Sequence, residues 1–186
     1  MSSDFSPNFS ANYSSASSVD ALASVRMPPH SHDAEQAVLG GLMLDHLSLE
    51  KMSDVLRVDD FYRADHKLVY SAILGLSEGN KPFDAVMVAE WLTKRDQLIE
   101  AGGVSYLVEL VEAVPTAANI LAYAQMIRES AVLRQLIDVG TQIVTMGYRP
   151  EGRAAAEVME FAEREIFQIA DEGERLTRGF RPIKDL

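Results

Sequence analysis

The stretch Pro28–Asp45, PPHSHDAEQAVLGGLMLD, decides how the chain folds. Pro28-Pro29 stiffens the approach, because each proline ring locks its own φ. Ser31 and Asp33 both suit an N-cap. Ala34, Val38 and Leu42 then recur every fourth residue, which puts them on one face of a helix over about 32–45. Gly40 and Gly41 lie inside that helix, where each costs about 1 kcal/mol relative to alanine. A second backbone packed closely against this turn is the expected compensation.

Helical periodicity continues in both directions from this point. A short helix is expected over about 48–57, with Leu49, Met52, Val55 and Leu56 apolar. A third covers about 63–78, where Leu68, Val69, Ala72, Ile73 and Leu76 form a stripe that Gly79-Asn80 and Pro82 end. Asp84 suits the cap of a fourth helix, about 85–95, carrying Val86, Ala89, Trp91 and Leu92. Gly102-Gly103 breaks the chain before a fifth with Tyr106, Leu107, Leu110 and Val111, which Pro115-Thr116 closes. No alternating strand pattern competes, so the expected fold class is all-α.

The C-terminal third differs in kind. About 117–146 reads as one long helix with two neighbouring apolar stripes, Val132–Leu136–Val139–Ile143 and Leu133–Ile137–Gly140–Val144. A turn from Gly147 to Gly152 separates it from a last helix, about 153–171, on which Val158, Ala162, Ile166 and Ile169 share a face. Two long helices joined by a short turn make an antiparallel hairpin. Such a hairpin cannot bury both bands by itself. Either the preceding helices cover it, or a second copy does, and a twofold dimer is the commonest closed solution. The expected organisation is a disordered serine-rich tail over 1–26, a globular helical subdomain over 27–116, the hairpin over 117–171 and the start of a linker over 172–186.

Composition excludes several function classes. The 186-residue chain has 47% hydrophobic residues, enough for a sizeable core. It has no cysteine, hence no disulfide framework and no thiolate metal site, which fits a reducing cytoplasm. No apolar run approaches the roughly 18 residues that span a bilayer. The net charge of −11 opposes general phosphate binding, so any link to nucleic acid is expected to be indirect. The last stretch is locally basic, with Arg175, Arg178, Arg181 and Lys184 against Glu174 and Asp185.

Catalytic and ligand motifs are absent from the sequence. There is no G-x-x-x-x-G-K-[ST] loop to cradle phosphates. His30 and His32 stand two apart at a helix start, not at the three- or four-residue spacing that puts ligands on one helix face. His66, beside Asp65 and Arg63, reads as an exposed helix start. Asp59-Asp60 fits a helix start as well as paired-carboxylate chemistry, and most other acids are expected on solvated faces. The expected activity is assembly, with no catalytic residue, cofactor or metal.

Five runs together resemble the N-terminal domain of the bacterial replicative DNA helicases, the DnaB family. They are PPHSHDAEQAVLGGLMLD at 28–45, DDFYRADHKLVYSAI at 59–73, GGVSYLVEL at 102–110, AVPTAANILAYAQMIRE at 113–129 and VLRQLI at 132–137. They follow the family's order and spacing, and the resemblance covers about 28–186.

The resemblance implies that the parent chain continues through a linker helix into a RecA-like motor with ATP and magnesium. This chain ends at Leu186, before that motor, and would have no ATPase of its own. It further implies a hexameric ring moving 5′ to 3′ on single-stranded DNA, with N-terminal domains forming a collar of three hairpin-paired dimers. Partners implied are a second copy of the chain, a DnaG-type primase and a helicase loader, with weak or no single-stranded DNA binding by the domain itself. Matching positions for primase docking are Tyr106, Arg134, Ile137 and Ile143. Those for the hairpin or dimer interface are Val132, Leu133, Leu136, Val139, Val144, Val158, Ala162, Ile166 and Ile169. Tyr106, Ile137 and Ile143 also fit ordinary core or dimer contacts. Two other readings stand beside this one: a complete small enzyme with an unrecognised site, which the missing nucleotide loop opposes, and a free-standing helical adaptor or helicase inhibitor that mimics the collar.

Overall fold

The computed structural model describes residues 27–114 and 119–178, the last six of them by backbone alone. Among the described residues there are seven α-helices, one 3-10 turn and no strand. The helices are α1 His32–Leu44, α2 Ser48–Met52, α3 Ala64–Glu78, α4 Ala85–Thr93, α5 Gly103–Glu112, α6 Ile120–Tyr148 and α7 Ala155–Arg178, and the 3-10 turn is Val58–Asp60. The serine-rich stretch 1–26, the Pro115-Thr116 stop and the basic end beyond Arg178 lie outside the described residues.

Side-chain caps open two of the helices. Ser31, rather than Asp33, caps α1, its Oγ accepting the Ala34 N–H at 3.3 Å. Asp33 instead sits in the first turn, where its charge complements the helix dipole. Asp84 caps α4, accepting the N–H groups of Val86 and Met87. Gly102, at φ 92°, supplies the left-handed residue that opens α5.

The second helix is shorter than its apolar spacing suggests, ending at Met52 instead of near 57. Backbone groups of the next residues are claimed elsewhere. Asp60 Oδ2 accepts the Arg57 N–H at 2.8 Å, and the Tyr70 hydroxyl donates to the Leu56 carbonyl at 3.3 Å. These bonds draw the chain into the 3-10 turn.

α1 lies at the centre, packed by α3, α5 and α6. Val38, Leu39 and Leu42 are fully buried on it. The glycine pair explains the packing distance. A Cβ built on Gly40 would lie 1.9 Å from the Leu110 carbonyl oxygen of α5, and one on Gly41 would lie 2.7 Å from Ile120 Cδ1 at the start of α6. The close backbone approach expected from the sequence is therefore present, with α5 as the neighbour. Burial, aided by the nearby Asp60 charge, pushes the Tyr70 phenol in this core up to about 12.

α6 has two halves with different surroundings. Ile120, Ala124, Ile127, Arg128 and Ala131 are buried along its first half, against α1 and the 3-10 turn. Its second half pairs with α7, where Val139 and Ile169 are the buried apolar residues. The turn between the helices uses left-handed backbone at Glu151 and Gly152. α7 starts two residues later than expected and runs on to Arg178.

Candidate functional site

A buried polar framework joins the globular helices to the hairpin, and the segment 57–66 is its hub. Asp60 is 2% exposed and lies between three elements. Its Oδ1 accepts Arg128 Nη1 of α6 at 2.6 Å, while Oδ2 holds the Arg57 N–H. Arg128 also reaches Glu172 of α7 at 3.6 Å, and Arg57 meets the same carboxylate at 3.3 Å. Three helical elements therefore share one charge cluster at the root of the hairpin.

The second part of the framework runs from α1 through α3 to α5. Glu35 is buried, its Oε1 accepting the Tyr62 N–H at 2.7 Å and its Oε2 lying 2.5 Å from His66 Nδ1. His66 Nε2 lies 2.6 Å from the Tyr106 hydroxyl. An ionised Glu35 assigns the tautomer: Nδ1–H donates to Glu35, and Nε2 accepts the Tyr106 O–H. Burial pushes the Glu35 carboxyl up, but the His66 hydrogen bond and the backbone N–H groups of Tyr62 and Arg63 outweigh it and hold it below the ordinary value.

His66 thus stands opposite to its expected place. It is fully buried, because its side chain lies on the inner face of the first turn of α3, against Glu35, while Ala64 beside it is exposed. Glu35 and Asp60 are likewise buried, exceptions among carboxylates expected mostly on solvated faces.

This carboxylate–imidazole–hydroxyl series has the order of a nucleophile triad but not its chemistry. Burial raises the Tyr106 pKa, so the phenol is held as a hydrogen-bond donor and is not activated. Its ring is half-buried, and the Arg63 guanidinium lies 5.7 Å from its centroid. The series positions Tyr106.

Acid should weaken this framework. Glu35 has a folded pKa below its unfolded value, so its contribution is complete above about pH 4.5 and is lost as pH falls through the depressed value. Burial, with the Arg63 charge nearby, lowers the pKa of His32, and its Nδ1 is buried without a hydrogen-bond partner among the described residues. Its contribution likewise fades below the ordinary histidine value of 6.5. Thermal melts from pH 7 to pH 4 should show falling stability. Glu35→Gln should cost about 2 kcal/mol at pH 7 and flatten the acid limb, since charged hydrogen bonds contribute about 1.5–3 kcal/mol. An unchanged acid limb would remove Glu35 from this role.

The remaining sequence-derived positions fall into three groups. Arg134 turns inward: its Nη1 donates to the Pro29 carbonyl at 2.7 Å and its Nη2 to the Asp60 carbonyl at 2.5 Å. Val139 and Ile169 are buried between the hairpin helices, with Val132, Ile143, Val158 and Ala162 half-buried around them. Leu133, Leu136, Ile137 and Val144 on α6 and Ile166 on α7 are exposed, as are Met159 and Phe167. Ile137 at 54% and Val144 at 56% show that one α6 stripe has no cover among the described residues. The structure brings Tyr106 to His66 and, through it, to Glu35, and Arg134 to Asp60.

The fold and site define a class: an all-helical domain whose polar framework mounts a long, partly uncovered two-helix hairpin. The model of the DnaB-like helicase N-terminal domain matches residues 27–129, and the chain belongs to that family. It is 42% identical over 149 residues to the replicative DNA helicase DnaB of Haemophilus influenzae, covering 80% of this chain and 32% of that protein. It is 42% identical over 165 residues to the DnaB of Geobacillus stearothermophilus, covering 89% and 36%. The chain therefore spans about a third of these relatives.

Among solved structures, the N-terminal domain of DnaB helicase from Mycobacterium tuberculosis superposes with a TM-score of 0.73 at 44% identity, covering 76% of this chain and 99% of that one. The N-terminal domain of DnaB helicase from Helicobacter pylori, described with its interactions with primase, gives 0.56 at 27% identity, covering 63% and 91%.

Proposed function

We propose that this chain is the collar domain of a replicative DNA helicase, joining protomers through its hairpin and docking primase. The exposed apolar residues Leu133, Leu136 and Val144 on α6 carry this reading. A contiguous apolar surface on a projecting hairpin is an association surface, and an isologous pairing of two hairpins covers it without open-ended growth. Three such dimers close a hexameric ring in the whole protein. That protein is an ATP-dependent 5′–3′ DNA helicase of the cytoplasm, served by a DnaG-type primase and a loader. The residues present here do not fit its nucleotide and magnesium, for they include no phosphate-cradling loop; that chemistry belongs to a motor domain of the parent. The acidic collar guides single-stranded DNA rather than gripping it.

Primase docking is supported by similar DnaB-like structures described with their interactions with primase and by the exposure of Ile137. Tyr106, half-buried and held by His66, lies between exposed Val104 and Val108 along α5.

Light scattering against concentration tests the pairing. The wild-type chain should exceed its 20.5 kDa monomer mass at micromolar concentration, and Leu133→Glu with Val144→Glu should return it to monomer. A wild-type monomer at every concentration would refute the hairpin reading. In the assembled full-length ring, Ile137→Asp should lose primase in a pull-down while ring mass is retained; intact primase binding would release Ile137 from that role.

A further inference from the structure

The groove between α3 and α4 departs from the acidic character of the chain. Lys81, Lys94 and Arg95 line it against a single carboxylate, Glu90, which Lys94 holds at 2.5 Å. The chain as a whole carries −11. The groove has a volume of about 300 Å³, the small end of the range for ligand sites. Leu76, Met87 and Trp91 supply apolar lining. The indole is seated by a glycine: a Cβ on Gly75 would lie 2.9 Å from Trp91 Cζ2, so the ring rests directly on the α3 backbone. The Arg95 guanidinium lies 3.4 Å from the indole centroid, a cation–π contact that holds its donors at the groove.

We propose that this groove binds a short acidic peptide segment of a partner protein. Carboxylates meet Lys81 and the Arg95 fork, which matches carboxylate geometry through paired N–H donors. One apolar side chain of the peptide rests on Leu76, Met87 and Trp91.

Charge complementarity selects an anion, and two observations select a peptide over a nucleic-acid strand. Arg95 already covers an indole face on which a base would stack. A strand also carries its phosphates on past the groove, into the field of a chain at −11, whereas a peptide confines its charge to the groove.

Trp91 is the single tryptophan, so its emission reports on this groove alone. The probes are a peptide of about five residues with Asp or Glu on either side of one central leucine, the same peptide with lysines replacing its acids, and an oligothymidylate of similar length. The acidic peptide should change Trp91 emission saturably, and the lysine peptide should not. Lys81→Glu, which leaves the Trp91–Arg95 stack in place, should weaken binding at least tenfold with unchanged circular dichroism; Lys81→Glu with Arg95→Glu should abolish it. No emission change with the acidic peptide, equal binding by Lys81→Glu, or tighter binding of the oligothymidylate would each overturn the proposal.

Discussion

Asp60→Ala is expected to lower unfolding stability by about 3–5 kcal/mol, the cost of removing one partner from a buried ion pair. Arg128 is 4% exposed and, among the described residues, would keep only the longer contact to Glu172. The Arg57 N–H would lose its acceptor too. The charge left behind, more than the bond removed, sets the size of the effect. Denaturant midpoints measure it. Asp60→Asn combined with Arg128→Met should recover most of the loss, because a buried pair replaced together leaves no stranded charge. A cost below about 1 kcal/mol for Asp60→Ala would mean that Arg128 finds another partner and the hub is not needed. The loss should also loosen the hairpin at its root, since Arg57, Arg128 and Glu172 all meet there.

Gly40→Ala is expected to destabilise by about 2–3 kcal/mol, although alanine is the better helix former by about 1 kcal/mol. The new methyl meets the Leu110 carbonyl oxygen at 1.9 Å and Val114 Cγ2 at 2.6 Å. Backbone cannot rotate away, so α1 and α5 must separate and open the core between them. The melting temperature should fall by about 5–10 °C. Gly41→Ala is the internal control: its obstacle is Ile120 Cδ1, the far end of a flexible side chain, and the change should stay within about 1 kcal/mol. A stabilised Gly40→Ala protein would show that the two helices do not approach as closely as described.

The helical architecture was legible because its signals are local. The spacing of Ala34, Val38 and Leu42, the Asp84 cap and the Gly102-Gly103 break each depend on neighbours a few residues away, and each corresponds to an observed element. Even the role of the glycine pair was readable, since two interior glycines need a packing reason. The identity of the neighbour, Leu110, was not, because it lies about seventy residues further along the chain.

The polar framework was missed for a reason that residue types conceal. Glu35, His66 and Arg128 look like surface residues one at a time, yet each is in phase with a buried stripe. Glu35 precedes Val38, Leu39 and Leu42; His66 precedes Val69, Tyr70 and Ile73; Arg128 lies between Ala124 and Ala131. A charged residue in register with the core is the sequence signal, and it calls for a partner that only the fold can bring.

Sequence by itself determined the helices, their order, the hairpin and the family, because hydrophobic periodicity and turn chemistry act over short spans of chain. Tertiary structure alone decided that His66 is internal, that Arg134 and Arg128 anchor the hairpin root, and that the Leu133–Ile137–Val144 stripe remains uncovered by the described residues. Those outcomes depend on which distant groups share one buried volume. Pairing energies there favour whatever satisfies each desolvated charge, and no local pattern records the partner.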